Sequence, residues 1–181
     1  MSITALTELF ESMPSYKELV SSLRQLNISK AQIIDEAVPF LVASIWKKFD
    51  APILLICPNG QYASNLEEKI TAWTDNKKRL LRFNESESLP FERLITDPHI
   101  TQQRIATLSF LLSEHESSPL VITSASAICQ KTISKQILKR THQILRTGDE
   151  LFLDETIDKW QKMGYSIQPD VQEMGTVSRR G

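Results

Sequence analysis

The chain has 181 residues, of which 41% are hydrophobic and 24% charged, and its net charge is −1. Such values are ordinary for a soluble globular protein, long enough for one good core or for one domain and part of a second. The near-zero net charge excludes a global field that would draw the protein to nucleic acid or to a membrane.

Targeting signals and cysteine chemistry give no sign of export. Residues 1–8 lack the basic region and apolar core of a signal peptide, and the longest apolar stretch, residues 37–46, is about half a membrane span. Cys57 and Cys129 each lie in or beside an apolar segment, which predicts buried, reduced thiols. We therefore expect a cytoplasmic protein without membrane contact.

The first half of the chain alternates helical and strand signals. Residues 15–26 predict a helix with a Ser15–Glu18 capping box and a buried stripe of leucines at positions 19, 23 and 26. An apolar helix is expected over residues 36–49. The run 52–57 is typical of a parallel strand buried on both faces, and a helix near 62–73 and a strand at 79–83 follow.

The stretch 88–112 opens as a proline-broken loop and continues as a helix. Its apolar residues at positions 100, 105, 108 and 112 are predicted to share one face. The run 120–123 predicts a third buried strand, with a short helix after it. Strands that alternate with helices indicate an α/β fold with a parallel sheet.

The pattern changes near Lys131. An exposed link, a strand at 142–146 and a turn are expected there, before a helix over residues 153–163 with Ile157 and Trp160 inward and Gly164 as its C-cap. Short extended pieces complete the chain. We divide it into an α/β domain, residues 1–140, and the start of a smaller α+β domain, residues 141–181.

Catalytic and metal-binding signatures are missing from the sequence. Its five glycines, at positions 60, 148, 164, 175 and 181, cannot form a phosphate-binding loop, and Gly-x-Ser-x-Gly does not occur. The three histidines belong to no recognisable nucleophile motif. Glu85, Glu87 and Glu92 lack the spacing of a calcium loop. We therefore predict no catalytic residue, cofactor site or metal site.

The clearest candidate for function is the terminal pair Arg179 and Arg180, followed by Gly181. Two planar guanidinium groups at the edge of an extended segment can present paired donors to carboxylates or phosphates. The alternative is a basic chain end without a binding role.

Three stretches carry a family resemblance. They are residues 51–66, with the turn Cys57-Pro-Asn-Gly60; residues 89–108, with Leu89-Pro-Phe-Glu92, Pro98, Ile100, Arg104 and Leu108; and residues 145–181, with Leu145-Arg-Thr-Gly148, Gly164-Tyr165 and Arg180-Gly181. In order and spacing they resemble the amino-terminal part of bacterial transcription-repair coupling factors, which is similar to the first two domains of the excinuclease protein UvrB. Thr176 and Val177 replace the acidic and aromatic residues usual in the last motif, and the phosphate loop and long hairpin of UvrB are missing.

The resemblance implies a degenerate, helicase-like domain similar to UvrB domain 1a, which has lost its nucleotide site, followed by a domain that binds the excinuclease protein UvrA. It places Arg180 in the UvrA contact, with Arg179 as its neighbour. It also implies that RNA polymerase, DNA and ATP with magnesium are bound by parts of a longer protein beyond residue 181.

Two other functions stay open at this point. One is half of a helicase-like ATPase whose phosphate site is completed elsewhere. The other is an α/β protein that binds a small molecule at the carboxyl ends of its strands, around Asn59 and Ser124.

Overall fold

The computed structural model describes residues 10–26, 28–49, 51–74, 77–86, 98–113, 118–171 and 175–179. The chain divides into two compact units, a first unit of Met1–Phe83 with His115–Ala127 and a second unit of Asn84–Glu114 with Ile128–Gly181. The predicted domains, residues 1–140 and 141–181, stay a prediction.

The described elements follow one another in the expected alternation. The helices are α1 Pro14–Arg24, α2 Val38–Lys48, α3 Gly60–Thr71, α4 Pro98–Leu112, α5 Ala125–Cys129, α6 Lys135–Thr141 and α7 Leu153–Lys162. The strands are β1 Ile53–Cys57, β2 Leu80–Phe83, β3 Leu120–Ser124, β4 Ser166–Ile167 and β5 Thr176–Val177. Short 3-10 helices occur at Asp35–Ala37 and Lys77–Arg79.

The first unit is organised around a parallel sheet with the strand order β1-β3-β2. Leu55 of β1 and Arg82 of β2 both pair with Ile122 of the central strand. All five residues of β3 are buried, as expected of a central parallel strand. The predicted α/β fold with a parallel sheet is therefore confirmed, and its likeness to UvrB domain 1a stays a prediction.

Helix α3 covers one face of this sheet. Asn59 caps it, since its side-chain oxygen accepts a hydrogen bond from the Tyr62 backbone N–H at 2.8 Å. Its predicted inward residues Ala63, Leu66 and Ile70 are buried. The core cluster of the first unit consists of Trp46, Cys57, Ala63, Leu66, Ile70, Leu120 and Ile122. Burial of each such Leu or Ile side chain contributes about 1.5–3 kcal/mol.

Strand β1 differs from its prediction in one respect. Its residues alternate in exposure, and Leu54 and Ile56 are 55% and 54% exposed. The prediction of burial on both faces is wrong for β1, because the face that carries Leu54 and Ile56 is exposed.

Helix α1 also begins differently from its prediction. It starts at Pro14 after an extended Met13, with no side-chain cap, so the predicted capping box does not form. Its buried residues are Tyr16 and Val20, whereas Leu26 is 93% exposed. Leu26 lies beyond the end of the helix, and the buried Tyr16 hydroxyl pairs with the buried Ser44 hydroxyl of α2 at 2.7 Å.

The second unit contains α4, α6 and α7. Helix α4 turns Arg104 inward and leaves Ile105 43% exposed, which reverses the predicted apolar face at that turn. Helix α6 forms in the expected exposed link, with Ser134 as its cap. Residues 142–146 form no strand, so that prediction is wrong.

Candidate partner-binding site

Helix α7 supplies the rigid end of the candidate site. Asp154 and Glu155 lie in its first turn, where the helix dipole favours negative charge. Thr156 and Ile157 of the same helix are buried. At its other end Gly164 adopts φ +101°, the left-handed conformation that the predicted C-cap requires.

Strands β4 and β5 supply the extended end of the site. They pair in parallel, and the N–H groups of Ser166 and Gln168 donate to the carbonyls of Gly175 and Val177, both at 2.9 Å. Gly175 has φ +85°, so a side chain there would be strained. The pairing leads the chain directly into Ser178 and Arg179.

Arg179 is joined to the start of α7 by an ion pair. One terminal guanidinium nitrogen donates to Asp154 Oδ1 at 2.8 Å, although the two residues are 25 positions apart. The side chains are 51% and 85% exposed, so the pair lies at the surface. Ser178 Oγ donates to the Pro169 carbonyl at 2.7 Å. Residues 175–179 are thus held by backbone, hydroxyl and charged contacts.

The two arginines predicted for the site have different outcomes. Arg179 is exposed and already engaged with a carboxylate. Arg180 lies outside the described residues, so its predicted UvrA contact stays a prediction.

The alternative small-molecule site lies at the carboxyl ends of the strands. The polar side chains predicted to line it act as helix caps. Asn59 caps α3. Ser124 Oγ accepts from the Ala127 N–H at 3.1 Å and so begins α5. Both side chains therefore have a structural role where a ligand was considered.

Cys57 lies close to the same edge of the sheet. Its burial raises the pKa of the thiol, and the positive charge of Arg82 opposes that rise. Arg82 also contacts the Glu67 carboxylate at 3.5 Å and donates to the Gly60 carbonyl at 3.3 Å. A buried thiol with a raised pKa is a poor nucleophile, so this group favours no covalent chemistry. The burial prediction holds for Cys57 and is wrong for Cys129, which is exposed.

A polar network in the second unit surrounds Arg104. Its guanidinium donates to the Asn84 carbonyl at 2.5 Å and to Gln130 Oε1 at 3.4 Å. Gln130 also exchanges two hydrogen bonds with the backbone of Ser86, at 2.7 and 3.0 Å. Burial lowers the pKa of Arg104. These contacts fix the path of residues 84–86, which is a structural function.

In the described ranges, metal binding would need a cluster of ligating residues, and membrane spanning would need a long apolar helix. No group of three or more His, Cys, Asp or Glu residues in those ranges could hold a metal ion. No helix there has both the length and the apolar character needed to cross a membrane.

Asp154 is the site residue that the sequence analysis missed. The pair Asp154-Glu155 at a helix start was a visible signal, because acidic residues are favoured in a first turn. Its partner could not be inferred, since it lies 25 residues away and depends on the β4–β5 pairing.

Comparison with known proteins gives consistent results across most of the chain. A transcription-repair-coupling factor of Staphylococcus haemolyticus is 26% identical over 92% of the chain, and that of Escherichia coli K12 is 24% identical over 83%. A Staphylococcus aureus protein of the same name is 23% identical over 99% of the chain. The chain is similar to transcription-repair-coupling factors. The resemblance predicted from its motifs is confirmed at this level.

The similarity concerns a small part of each relative. The chain spans 14%, 13% and 15% of the lengths of these three transcription-repair-coupling factors. No family model matches the chain.

Proposed function

We propose that this chain is a non-catalytic interaction module of a transcription-repair coupling factor, which helps recruit UvrA to RNA polymerase stalled at damaged DNA. The observation that carries the proposal is the similarity over 83–99% of the chain to proteins of that name. In this proposal ATP-dependent DNA translocation and the contacts to polymerase and DNA belong to other parts of a longer cytoplasmic protein.

Exposed charged and apolar side chains in the second unit support a binding role for it. In the first unit, the polar groups at the strand ends cap helices. In the second unit, Arg179 and Asp154 are largely exposed, and Phe152 and Ile167 nearby in sequence are 76% and 49% exposed. Exposed arginine and aromatic side chains are the groups that most often dominate protein–protein binding energy.

The test is to titrate the purified chain with purified UvrA and to measure the binding affinity by calorimetry or by a surface-based assay. The wild-type chain is expected to bind saturably, and Arg180→Ala is expected to weaken binding by about 2–5 kcal/mol, at least about thirtyfold, if its charge is desolvated in the contact. Arg140→Ala changes an exposed arginine of α6 and serves as the matched control.

Each outcome decides a separate part of the proposal. A wild-type chain that does not bind UvrA overturns the recruitment function. A wild-type chain that binds while Arg180→Ala and Arg140→Ala bind equally well overturns the assignment of Arg180.

A further inference from the structure

We propose that Asp154 is a positioning residue, which holds the arginine-bearing end of the second unit in the orientation used for partner binding. The inference rests on the proposed function, and it adds a residue that the family resemblance does not assign. Asp154 acts through Arg179, by the ion pair described above.

Asp154 is the fixed partner of this pair. It lies in the first turn of a ten-residue helix, and its neighbours Thr156 and Ile157 are buried. The helix dipole stabilises its carboxylate at that position independently of Arg179. The backbone position of Asp154 is therefore set by the helix and does not depend on Arg179.

Arg179 is the partner whose conformational freedom the ion pair restricts. It follows a strand of two residues, and its side chain is half exposed. Without Asp154, the segment would keep the β4–β5 hydrogen bonds and the Ser178 contact but would lose its charged contact with α7. Such short parallel pairing is weak by itself. The ion pair thus connects Arg179 to helix α7.

Restricting Arg179 has a consequence for recognition. Arg180 is the next residue in the chain, so an ordered Arg179 limits the positions open to it. Ordering a segment before binding removes part of the entropy cost of association. Loss of the Asp154 charge should accordingly weaken partner binding without removing any partner contact.

The test compares Asp154→Asn with Glu155→Gln. Both variants remove one first-turn carboxylate of α7, and only the first removes the charge that pairs with Arg179. Asp154→Glu keeps the charge and serves as the rescue. Amide hydrogen exchange of residues 175–179 is measured first, because it reports on the segment without any partner.

In Asp154→Asn the amides of residues 175–179 are expected to exchange about two- to fivefold faster, the range produced by an exposed ion pair. Glu155→Gln and Asp154→Glu are expected to exchange at the wild-type rate. Equal exchange in Asp154→Asn and Glu155→Gln would overturn the positioning role.

UvrA affinity is then measured on the same proteins. Asp154→Asn is expected to bind about two- to fivefold more weakly, with recovery in Asp154→Glu. Faster exchange with unchanged affinity would overturn the link to binding and leave the proposed function standing. A wild-type chain that fails to bind UvrA would overturn the proposed function, while the exchange result would still decide the role of Asp154 in ordering the segment.

Discussion

Helices α3 and α7 are of similar length and are used in different ways. In α3 three apolar residues, Ala63, Leu66 and Ile70, are buried in the core of the first unit. In α7 the buried residues are Thr156 and Ile157, and the first turn carries an exposed aspartate that binds an arginine. The comparison indicates that α3 contributes to the stability of the core, whereas the first turn of α7 contributes charged groups to the surface.

Replacing one isoleucine in each region would test this contrast most strongly. Ile70 is fully buried, and Ile70→Ala is expected to lower the free energy of unfolding by about 2–5 kcal/mol through lost burial and a residual cavity. Ile167→Ala in β4, at a side chain 49% exposed, is expected to cost less than about 1 kcal/mol.

Urea unfolding followed by circular dichroism measures both values. Similar losses for the two variants would show that β4 is packed as tightly as the core, and the contrast between the two regions would then fail.

The buried Cys57 and the exposed Cys129 are expected to differ in how they affect the pH dependence of stability. Burial raises the pKa of the Cys57 thiol, so the folded protein keeps its proton at a pH where the unfolded chain has lost it. The stability from this group is therefore complete below the unfolded pKa of about 8.5, and it falls as pH rises toward the folded pKa.

Unfolding free energies between pH 7 and pH 10 would show this effect. In Cys57→Ala the unfolding free energy is expected to decline less steeply above about pH 8.5. In Cys129→Ala, where the thiol is exposed, the unfolding free energy should decline with pH as it does in the wild type. A decline that is identical in all three proteins would contradict the burial of Cys57.

The parts of the fold that the sequence predicts well are those fixed by local pattern. The inward face of α3 and the capping glycine at position 164 follow from helical spacing and from backbone conformation. The exposure of one face of β1 could not be predicted, because it depends on which elements of the folded chain pack over that face.

Long-range polar contacts account for two further differences. Arg104 turns inward because Asn84 and Gln130 accept its hydrogen bonds, 20 and 26 residues away in sequence. The pair of Arg179 with Asp154 is of the same kind. The sequence therefore indicated which arginines to consider, and the carboxylate that binds one of them is visible only in the folded chain.

The proposed function assigns UvrA binding to the second unit, at α7 and residues 175–179. Hydrogen exchange of the whole chain with and without saturating UvrA tests this most directly. The account predicts slowed exchange in residues 151–179 and unchanged exchange in α3. Slowed exchange in α3 with no change in residues 151–179 would contradict it.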